Sequence, residues 1–360
     1  MKPVFLNGKF TAQRTTGVQR VAAHLAQALD AERPPGRWVL LCPPQGHPPA
    51  LQHIEVRHVG PAGLPLHLWE QAVLPWMARQ GCLLNLAGAA PALVRRQFVL
   101  MHDAAVFDHP EAYTWVFRHW YRGLFRLLAR RGAGLMTVSA FSRGRLAQAL
   151  HVPPERFTVL HNGADHLDGV LPDEQVLDHQ GLRGVPFLLA VGSANPTKNL
   201  ARLVAAFARL PPGPLKLVIV GGANAQVFAG ADAADPPGVL RTGPLDDGAL
   251  VALYRHARAL VFPSVYEGFG LPPLEAMACG CPVAVARAAA LPEVCGEAAL
   301  YFDPLDTAAL AGVLARLVAD DGLCQRLREA GGLHVQGFRW QKAAEGLLHN
   351  TGLSESVTVS

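Results

Sequence analysis

The segment "ALVFPSVYEGFGLPPLEAMACGCPVAVA" (residues 259–286) places a centre rich in glycine and proline between two short apolar runs. The runs are continuous rather than alternating, which is typical of parallel strands that helices cover on both faces. Pro272 and Pro273 suit the first turn of a helix, and Gly280 suits its C-terminal cap. The segment therefore predicts a strand, a glycine loop, a helix and a second strand, which is the repeating unit of a doubly wound α/β fold.

The same alternation continues through the chain and predicts two series of strands. The predicted strands are residues 3–6, 38–42, 54–59, 82–86, 97–102, 134–139 and 157–162, then 186–192, 215–222, 239–243, 259–264, 282–286 and 299–302. The polar segment 163–185 carries little strand signal and separates the series. The sequence therefore predicts two Rossmann-like domains with parallel sheets, residues 1–165 and 166–339, and a helix at about 340–352 that packs back on the first.

The net charge of +4 is unevenly distributed: residues 1–165 carry +9 and the remainder −5. Halves of opposite sign indicate different partners. The basic half carries no zinc-finger, RRM-type or basic-zipper signature, so nucleic acid is not expected as a partner. An anionic membrane surface and a phosphorylated substrate both suit a basic half.

Neither a membrane span nor a secretion signal is apparent in the sequence. No window approaches about 18 uninterrupted apolar residues, and "MKPVFLNGKF" lacks the apolar core and cleavage site of a signal peptide. The six cysteines form no CxxC pair, which predicts buried thiols rather than a metal site. We expect a cytoplasmic protein, peripheral at most at the inner face of the membrane.

Two glutamates flank the glycines, Glu267 in the loop and Glu275 in the predicted helix. Gly268 and Gly270 permit a close backbone approach, and the N–H groups of a helix N-terminus bind phosphate. Carboxylates accept hydrogen bonds from hydroxyl groups but repel phosphate. Two of them around an anion-binding helix end therefore indicate a ligand with both a diphosphate and sugar hydroxyls, which is a nucleotide sugar.

"EGFGLPPLE" (267–275) resembles the E-x7-E motif of the retaining glycosyltransferases of family 4. That resemblance implies the GT-B fold, in which two Rossmann-like domains face a cleft, the first binding the acceptor and the second the nucleotide sugar. Further motifs match in order: "TTGVQR" (15–20), "HDAAVFDHPE" (102–111), "TVSAFSRGRL" (137–146), "VLHNGAD" (159–165), "VGSANPTKNL" (191–200), "VGG" (220–222) and "LPEVCG" (291–296). The subset with "GVQR" and "HD" resembles bacterial mannosyltransferase-type enzymes of surface-polysaccharide assembly.

The resemblance also implies a donor site. Glu267 is expected to contact the hydroxyls of the donor sugar, and Glu275 the ribose of the nucleotide. The other expected donor contacts are Thr16, Gly17, Ser193, Thr242, Gly243, Gly268, Phe269, Gly270 and Leu271, mostly through backbone groups. The expected donor is a nucleotide-linked hexose, with mannose from GDP-mannose as the first candidate.

Lys198 stands where the family usually has an arginine–lysine pair, and its expected role is to neutralise the departing diphosphate. Thr197 occupies the arginine position. Either Lys198 carries more of that task, or another cation such as Arg202 or Arg287 substitutes.

His102 and Asp103 follow a predicted strand. His102 is expected to bind the donor sugar or orient the acceptor hydroxyl, and Asp103 to fix it or accept its proton. They complete the expected catalytic set with Glu267 and Lys198.

The expected reaction retains configuration by attack on the face that the leaving group departs from, since no nucleophilic carboxylate is evident. The sequence contains no D-x-D, so we expect neither a metal nor any cofactor besides the donor as co-substrate. Two alternatives stay open: a non-catalytic nucleotide-sugar-binding subunit, which the missing arginine favours, and a sugar-nucleotide epimerase, which the E-x7-E loop disfavours.

The acceptor is expected to be a glycan or a lipid-diphosphate-linked glycan. Residues 115–131, "WVFRHWYRGLFRLLARR", predict a basic amphipathic helix. Its basic arc contains Arg118, Arg122, Arg126 and Arg130, and the opposite arc contains Phe117, Trp120, Tyr121, Leu124, Leu127 and Leu128. Either the apolar arc packs on the domain core, or the helix also rests on an anionic membrane through its arginines.

Overall fold

The computed structural model describes residues 2–221 and 235–353. The chain divides into two compact units: residues up to Gly163 with those from Arg339 onward, and Ala164–Phe338. Every predicted strand is present: the first ends one residue beyond its predicted boundary, and the others end at that boundary or up to three residues before it. The last residue of the predicted strand 215–222 lies outside the described residues, as does the end of the "VGG" motif.

The first unit is built on a parallel seven-stranded sheet. Its strands are β1 (Val4–Asn7), β2 (Trp38–Cys42), β3 (Glu55–His58), β4 (Cys82–Asn85), β5 (Gln97–Leu100), β6 (Gly134–Thr137) and β7 (Phe157–Val159). Their order is β3-β2-β1-β4-β5-β6-β7, so the strand order reverses between β1 and β4. In open α/β sheets, ligands bind beyond the carboxyl ends of the strands at such a switch point.

Six α-helices of the first unit cover this sheet. They are α1 (Gly17–Ala31), α2 (Leu66–Met77), α3 (Ala105–Asp108), α4 (Trp115–Arg130), α5 (Ala140–Leu150) and, from the C-terminus, α13 (Trp340–Thr351). Helix α13 packs on α1, where the rings of His24 and Trp340 are 5.4 Å apart. A Cβ on Gly163 would lie 2.2 Å from the Trp340 nitrogen, so only glycine fits there.

The second unit is built on a parallel six-stranded sheet in the order β10-β9-β8-β11-β12-β13, with its switch point between β8 and β11. Its strands are β8 (Phe187–Val191), β9 (Lys216–Val220), β10 (Val239–Gly243), β11 (Ala259–Phe262), β12 (Val283–Ala286) and β13 (Leu300–Phe302). Its helices are α6 (Gln175–His179), α7 (Leu200–Phe207), α8 (Asp247–His256), α9 (Leu271–Ala278), α10 (Leu291–Cys295), α11 (Thr307–Ala319) and α12 (Asp321–His334). The predicted doubly wound α/β class is confirmed.

The segment that predicted the fold has the predicted local structure. Helix α9 begins with Pro272 and Pro273 in its first turn and ends just before Gly280, which has a φ of 74°. Gly270, with a φ of 105°, makes the turn into the helix. A side chain there would be strained by the backbone and would also meet Leu291 at 2.7 Å.

The arginines of α4 correct the predicted helical wheel. Arg118 donates to the carbonyl of Pro110 at 3.4 Å, and Arg122 donates to the carbonyls of Val106 and Phe107 at 2.7 and 3.2 Å. Both guanidinium groups therefore clamp the segment around α3 and do not form an outward basic face. The helical wheel was wrong about these two arginines because the hydrophobic pattern of a helix does not show which backbone carbonyls of a neighbouring segment lie beside it.

The outward face of α4 is instead a mixture of apolar and basic side chains. Leu124 and Leu128 are buried, as predicted. Apolar side chains that the wheel assigned to the packed arc, or left unassigned, are between 39% and 71% exposed: Trp115, Val116, Trp120 and Leu127. Arg126, Arg130 and Arg131 are exposed beside them.

Within residues 2–221 and 235–353, no helix is both long enough and apolar enough to cross a membrane.

Candidate active site

The centre of the candidate site is an ion pair at the switch point of the second unit. Lys198 follows β8, and Glu267 lies in the loop between β11 and α9. The Lys198 Nζ donates to the Glu267 Oε1 at 2.5 Å and lies 5.7 Å from the centre of the Phe262 ring. The two side chains are only 22% and 13% exposed, so the pair is partly shielded from water. The structure thus brings together two residues that the sequence placed 69 positions apart.

Two polar links hold Lys198 in this position. The Asn195 side chain caps the short 3-10 helix Pro196–Lys198 by accepting from the Thr197 N–H at 3.0 Å. Asn199 adopts a left-handed conformation with a φ of 54°, and its Nδ2 donates to the carbonyls of Pro263 and Pro304 at 3.2 and 2.8 Å. The loops after β8 and β11 are therefore fastened together, which fixes the distance between the ammonium group and the carboxylate.

The substitute cations that the sequence suggested lie elsewhere. Arg202 donates to the carbonyl of Leu305 at 2.6 Å, and Arg287 stacks over the ring of Tyr301 at 4.5 Å. Among the described residues, Lys198 is therefore the cation that the structure places on Glu267. Ser193, in the loop that precedes Lys198, is exposed.

Glu275 is buried inside α9, with both carboxylate oxygens in hydrogen bonds. The Tyr254 hydroxyl donates to Oε2 at 3.0 Å, and the His166 Nε2 lies 3.0 Å from Oε1. Burial and the adjacent carboxylate raise the pKa of Tyr254 well above its ordinary value, so the phenol stays protonated and donates. A carboxylate offers about four lone-pair positions, which leaves acceptor capacity for ligand hydroxyls. Sequence reasoning missed both partners, because no motif marks them.

The remaining predicted donor contacts of this unit lie along the same sheet edge. Gly268, Phe269, Gly270 and Leu271 are all buried in the turn that opens α9. Thr242 and Gly243 end β10, three strands from β11, and the Gly243 carbonyl accepts from the Thr242 hydroxyl and the Gly221 N–H, both at 2.9 Å. The carbonyl at this strand end is thus already hydrogen-bonded within the protein.

In the first unit, His102 and Asp103 line a cavity of about 260 Å³ at the carboxyl edge of the sheet. The His102 Nε2 lies 2.9 Å from the Leu86 carbonyl, so that nitrogen carries the proton and Nδ1 is the acceptor. Burial lowers the pKa of His102 to about 4, which keeps the ring neutral at physiological pH. Asp103 Oδ1 accepts from the Ala105 N–H at 2.8 Å and so stabilises the start of α3.

Thr16 and Gly17 begin α1 at the same edge of the first sheet. Gln19 Oε1 accepts from the Thr16 N–H at 3.2 Å and from its hydroxyl, which fixes the first turn of the helix. A Cβ on Gly17 would have no atom within 4 Å, so the backbone there is open to a ligand. Thr16 and Gln19 line the cavity together with His102.

These features define a protein of two doubly wound units, one with a shielded lysine–glutamate pair beside a helix N-terminus and one with a polar cavity. Known families match each unit: residues 15–166 match Glycosyltransferase Family 4, and residues 178–333 match Glycosyl transferases group 1. O-antigen chain mannosyltransferase B of Escherichia coli is 32% identical over 263 residues, which cover 70% of this chain and 68% of that protein. The chain therefore belongs to the same glycosyltransferase family as this relative and is itself a glycosyltransferase.

Another relative agrees with this assignment, and two solved structures agree with the fold. The MMP alpha-(1->4)-mannosyltransferase of Mycolicibacterium hassiacum is 32% identical over 240 residues, covering 63% of this chain and 56% of that one. HepE of Anabaena in complex with UDP and glucose has a TM-score of 0.73 at 18% identity, over 98% of this chain and 99% of that one. Sucrose-phosphate synthase of Thermosynechococcus elongatus also has a TM-score of 0.73, at 22% identity, over 98% and 100% of the two chains. The fold is thus GT-B.

Proposed function

We propose that the protein transfers a hexose from a nucleotide sugar to a glycan or lipid-linked glycan during surface-polysaccharide assembly, with retention of configuration. Mannose from GDP-mannose is the first candidate donor, a choice supported by the names of the mannosyltransferases that the chain resembles. The observation that carries the proposal is the Lys198–Glu267 pair beside the N-terminus of α9. It combines a cation, helix N–H groups and a carboxylate, which are the groups that a sugar diphosphate needs.

In the proposed reaction, the bond between the sugar C1 and the diphosphate oxygen breaks as the acceptor oxygen bonds to C1 on the same face. The Lys198 ammonium and the N–H groups of the turn that opens α9 balance the charge that builds on the leaving diphosphate. Glu267 exchanges part of its hydrogen bonding with Lys198 for the sugar hydroxyls, and Glu275 accepts from the ribose. The acceptor proton passes to the departing phosphate oxygen, so neither a metal nor a catalytic nucleophile is required.

In the first unit, His102 and Asp103 accept hydrogen bonds from hydroxyl groups of a bound sugar. Because the neutral His102 donates through Nε2 to Leu86, its Nδ1 can accept a hydrogen bond from a sugar hydroxyl. Asp103 can accept a second one.

A panel of nucleotide sugars tests this proposal. The reactions contain EDTA and no acceptor. We expect slow hydrolysis of one donor, and a GDP-linked hexose is the first candidate. Proton NMR of the released sugar should show the anomer with retained configuration. The matched comparison is the same hexose linked to UDP. Donor binding without hydrolysis would favour the non-catalytic subunit, and activity that EDTA abolishes would contradict the metal-free mechanism.

We also propose that the outward face of α4 contacts an anionic membrane, where a lipid-linked acceptor would be presented. Trp115 and Trp120 would insert at the interface, while Arg126, Arg130 and Arg131 would attract anionic headgroups. The location that we propose for the protein is therefore the inner face of the membrane.

Replacing both Trp115 and Trp120 with alanine is expected to weaken binding to vesicles that contain anionic lipid about tenfold, since it removes apolar area that the lipid would bury. Co-sedimentation with vesicles measures the change. The matched control is Leu171→Ala, because Leu171 is 85% exposed but belongs to the second unit. Equal binding by the double variant and the control would rule out this face.

A further inference from the structure

The lining of the cavity in the first unit has two chemically different parts, a floor and a wall. The floor is polar and contains the charged side chains of Lys9 and Glu70. The wall is a row of aromatic side chains: Tyr113, Phe117, Tyr121 and Phe125. The volume of about 260 Å³ is smaller than the roughly 300 to 1,000 Å³ of pockets for drug-sized ligands, so the cavity suits a small ring.

The floor is a buried ion pair. The Lys9 Nζ donates to the Glu70 Oε2 at 2.8 Å and lies 3.2 Å from the His67 Nδ1, and the side chains of the pair are 4% and 1% exposed. These contacts take two of the three N–H groups of the ammonium. Within residues 2–221 and 235–353 no third acceptor contacts the Lys9 Nζ, so one N–H group is left for a ligand in the cavity that Lys9 lines.

An amide network behind the floor fixes the pair. The Asn7 Nδ2 donates to the Glu70 Oε1 at 3.0 Å and to the Asn85 Oδ1 at 2.9 Å, and the Asn85 Nδ2 donates to the Gln97 Oε1 at 3.1 Å. Burying an ion pair commonly costs more than its attraction returns, and an apolar replacement of equal volume is often as stable. Since stability alone does not explain this network, a role in ligand binding does so better.

Phe117, Tyr121 and Phe125 of the aromatic wall follow the i, i+4 spacing of α4, and Tyr113 continues the row just before the helix begins. The Phe117 ring lies 5.3 Å from Tyr113 with an interplanar angle of 6°, and 4.3 Å from Tyr121 at 27°. Tyr121 in turn meets the edge of His67 at 6.5 Å, which joins the wall to the floor. Because Phe117 is stacked between Tyr113 and Tyr121, its two faces are covered and its edge is left for a ligand. A row of apolar ring edges can pack against the C–H groups of a pyranose ring.

We infer that this cavity binds one neutral hexopyranose ring of the acceptor, with the Lys9–Glu70 pair on its hydroxyl groups and the ring edges of the aromatic wall against its C–H groups. The inference rests on the proposed function, which it makes more specific. One ammonium group faces two carboxylates, Glu70 and Asp103, so the cavity repels a phosphorylated or carboxylated sugar. The two residues that define the subsite are Lys9 and Phe117.

Saturation-transfer NMR with methyl α-D-mannopyranoside, methyl α-D-glucopyranoside and methyl α-D-glucuronide tests the subsite without a donor. We expect at least one neutral glycoside to bind with a millimolar Kd, and the glucuronide at least tenfold more weakly. Phe117→Ala should weaken the neutral glycoside about tenfold. Its matched control is Trp76→Ala, because Trp76 is an exposed aromatic of the same unit outside the cavity.

The double variant Lys9→Met and Glu70→Met removes the polar floor without leaving an unpaired buried charge, so the unit is expected to fold. It should weaken binding of the neutral glycoside at least tenfold, which saturation-transfer NMR measures without any donor. If the wild-type protein hydrolyses no nucleotide-sugar donor, the proposed function is rejected. Absence of glycoside binding, equal binding of the glucuronide, or undiminished binding by both variants would instead overturn the subsite.

Discussion

Lys198→Ala is expected to lower the turnover of sugar transfer about a thousandfold, close to 4 kcal/mol of transition-state stabilisation. The reason is that the structure gives Glu267 a single cation among the described residues, and the two arginines that might have shared its role are bound to Leu305 and Tyr301. The diphosphate gains charge as it leaves, so the missing ammonium costs more in the transition state than in the bound donor. Single-turnover kinetics with saturating donor measures the loss, and the KM for donor should rise by a much smaller factor.

Two further variants define what the Lys198 result means. Lys198→Arg keeps the charge but changes its shape, so it should recover part of the lost rate. Arg202→Ala is the matched control, because Arg202 lies one turn further along the chain and is bound to a backbone carbonyl. Its turnover should stay within about threefold of the wild type. A loss below tenfold in Lys198→Ala, or an equal loss in Arg202→Ala, would show that another group bears the diphosphate charge.

The strands were predictable because the burial of a strand determines which of its residues must be apolar. Strand β2 is buried at every residue and appears as a continuous apolar run, whereas β3, at the edge of its sheet, has exposed ends and the sequence "EVRH". The turn into α9 was predictable for a similar reason, since Gly270 and the two prolines each satisfy a backbone requirement. Local conformation and burial on both faces thus leave a signal that one chain suffices to reveal.

Contacts between distant residues left no such signal. Lys198 and Glu267 were each predicted from their own motifs. Their ion pair, however, forms only because β8 and β11 are neighbours in the sheet, and the hydrophobic pattern of the sequence does not reveal the order of strands. Tyr254 reads as an ordinary apolar position of α8, although its hydroxyl holds Glu275. Lys9 likewise reads as a surface lysine until Glu70, 61 residues away, is brought beside it.

The error on α4 has the same origin. The wheel separates basic from apolar side chains correctly, but it contains no information about which neighbouring segment covers which arc. The carbonyls around α3 bind Arg118 and Arg122, and this turns Trp115 and Trp120 outward. Long arginine side chains can pack inward wherever backbone acceptors are available, so a basic arc is not by itself a solvent face.

His102 is expected to make the protein less stable as the pH falls from about 6.5 to about 4. Burial lowers the pKa of His102 from 6.5 to about 4 in the folded protein, so within this window the unfolded chain binds a proton that the folded protein does not. The stability that the neutral ring contributes is complete above pH 6.5, is lost through the window and changes no further below it. The shift corresponds to at most about 3 kcal/mol of unfolding free energy.

Urea unfolding at pH 7 and at pH 4.5 measures this loss, and comparison with His102→Gln isolates it from the other titrating groups. Glutamine can still donate to the Leu86 carbonyl but does not titrate, so the variant should lose about 2 to 3 kcal/mol less than the wild type on acidification. The matched control is His47→Gln, because His47 is exposed in the same unit and its replacement should leave the wild-type pH dependence intact. If His102→Gln loses as much stability as the wild type, the pKa of His102 is not lowered in the folded protein, and burial does not hold the ring neutral.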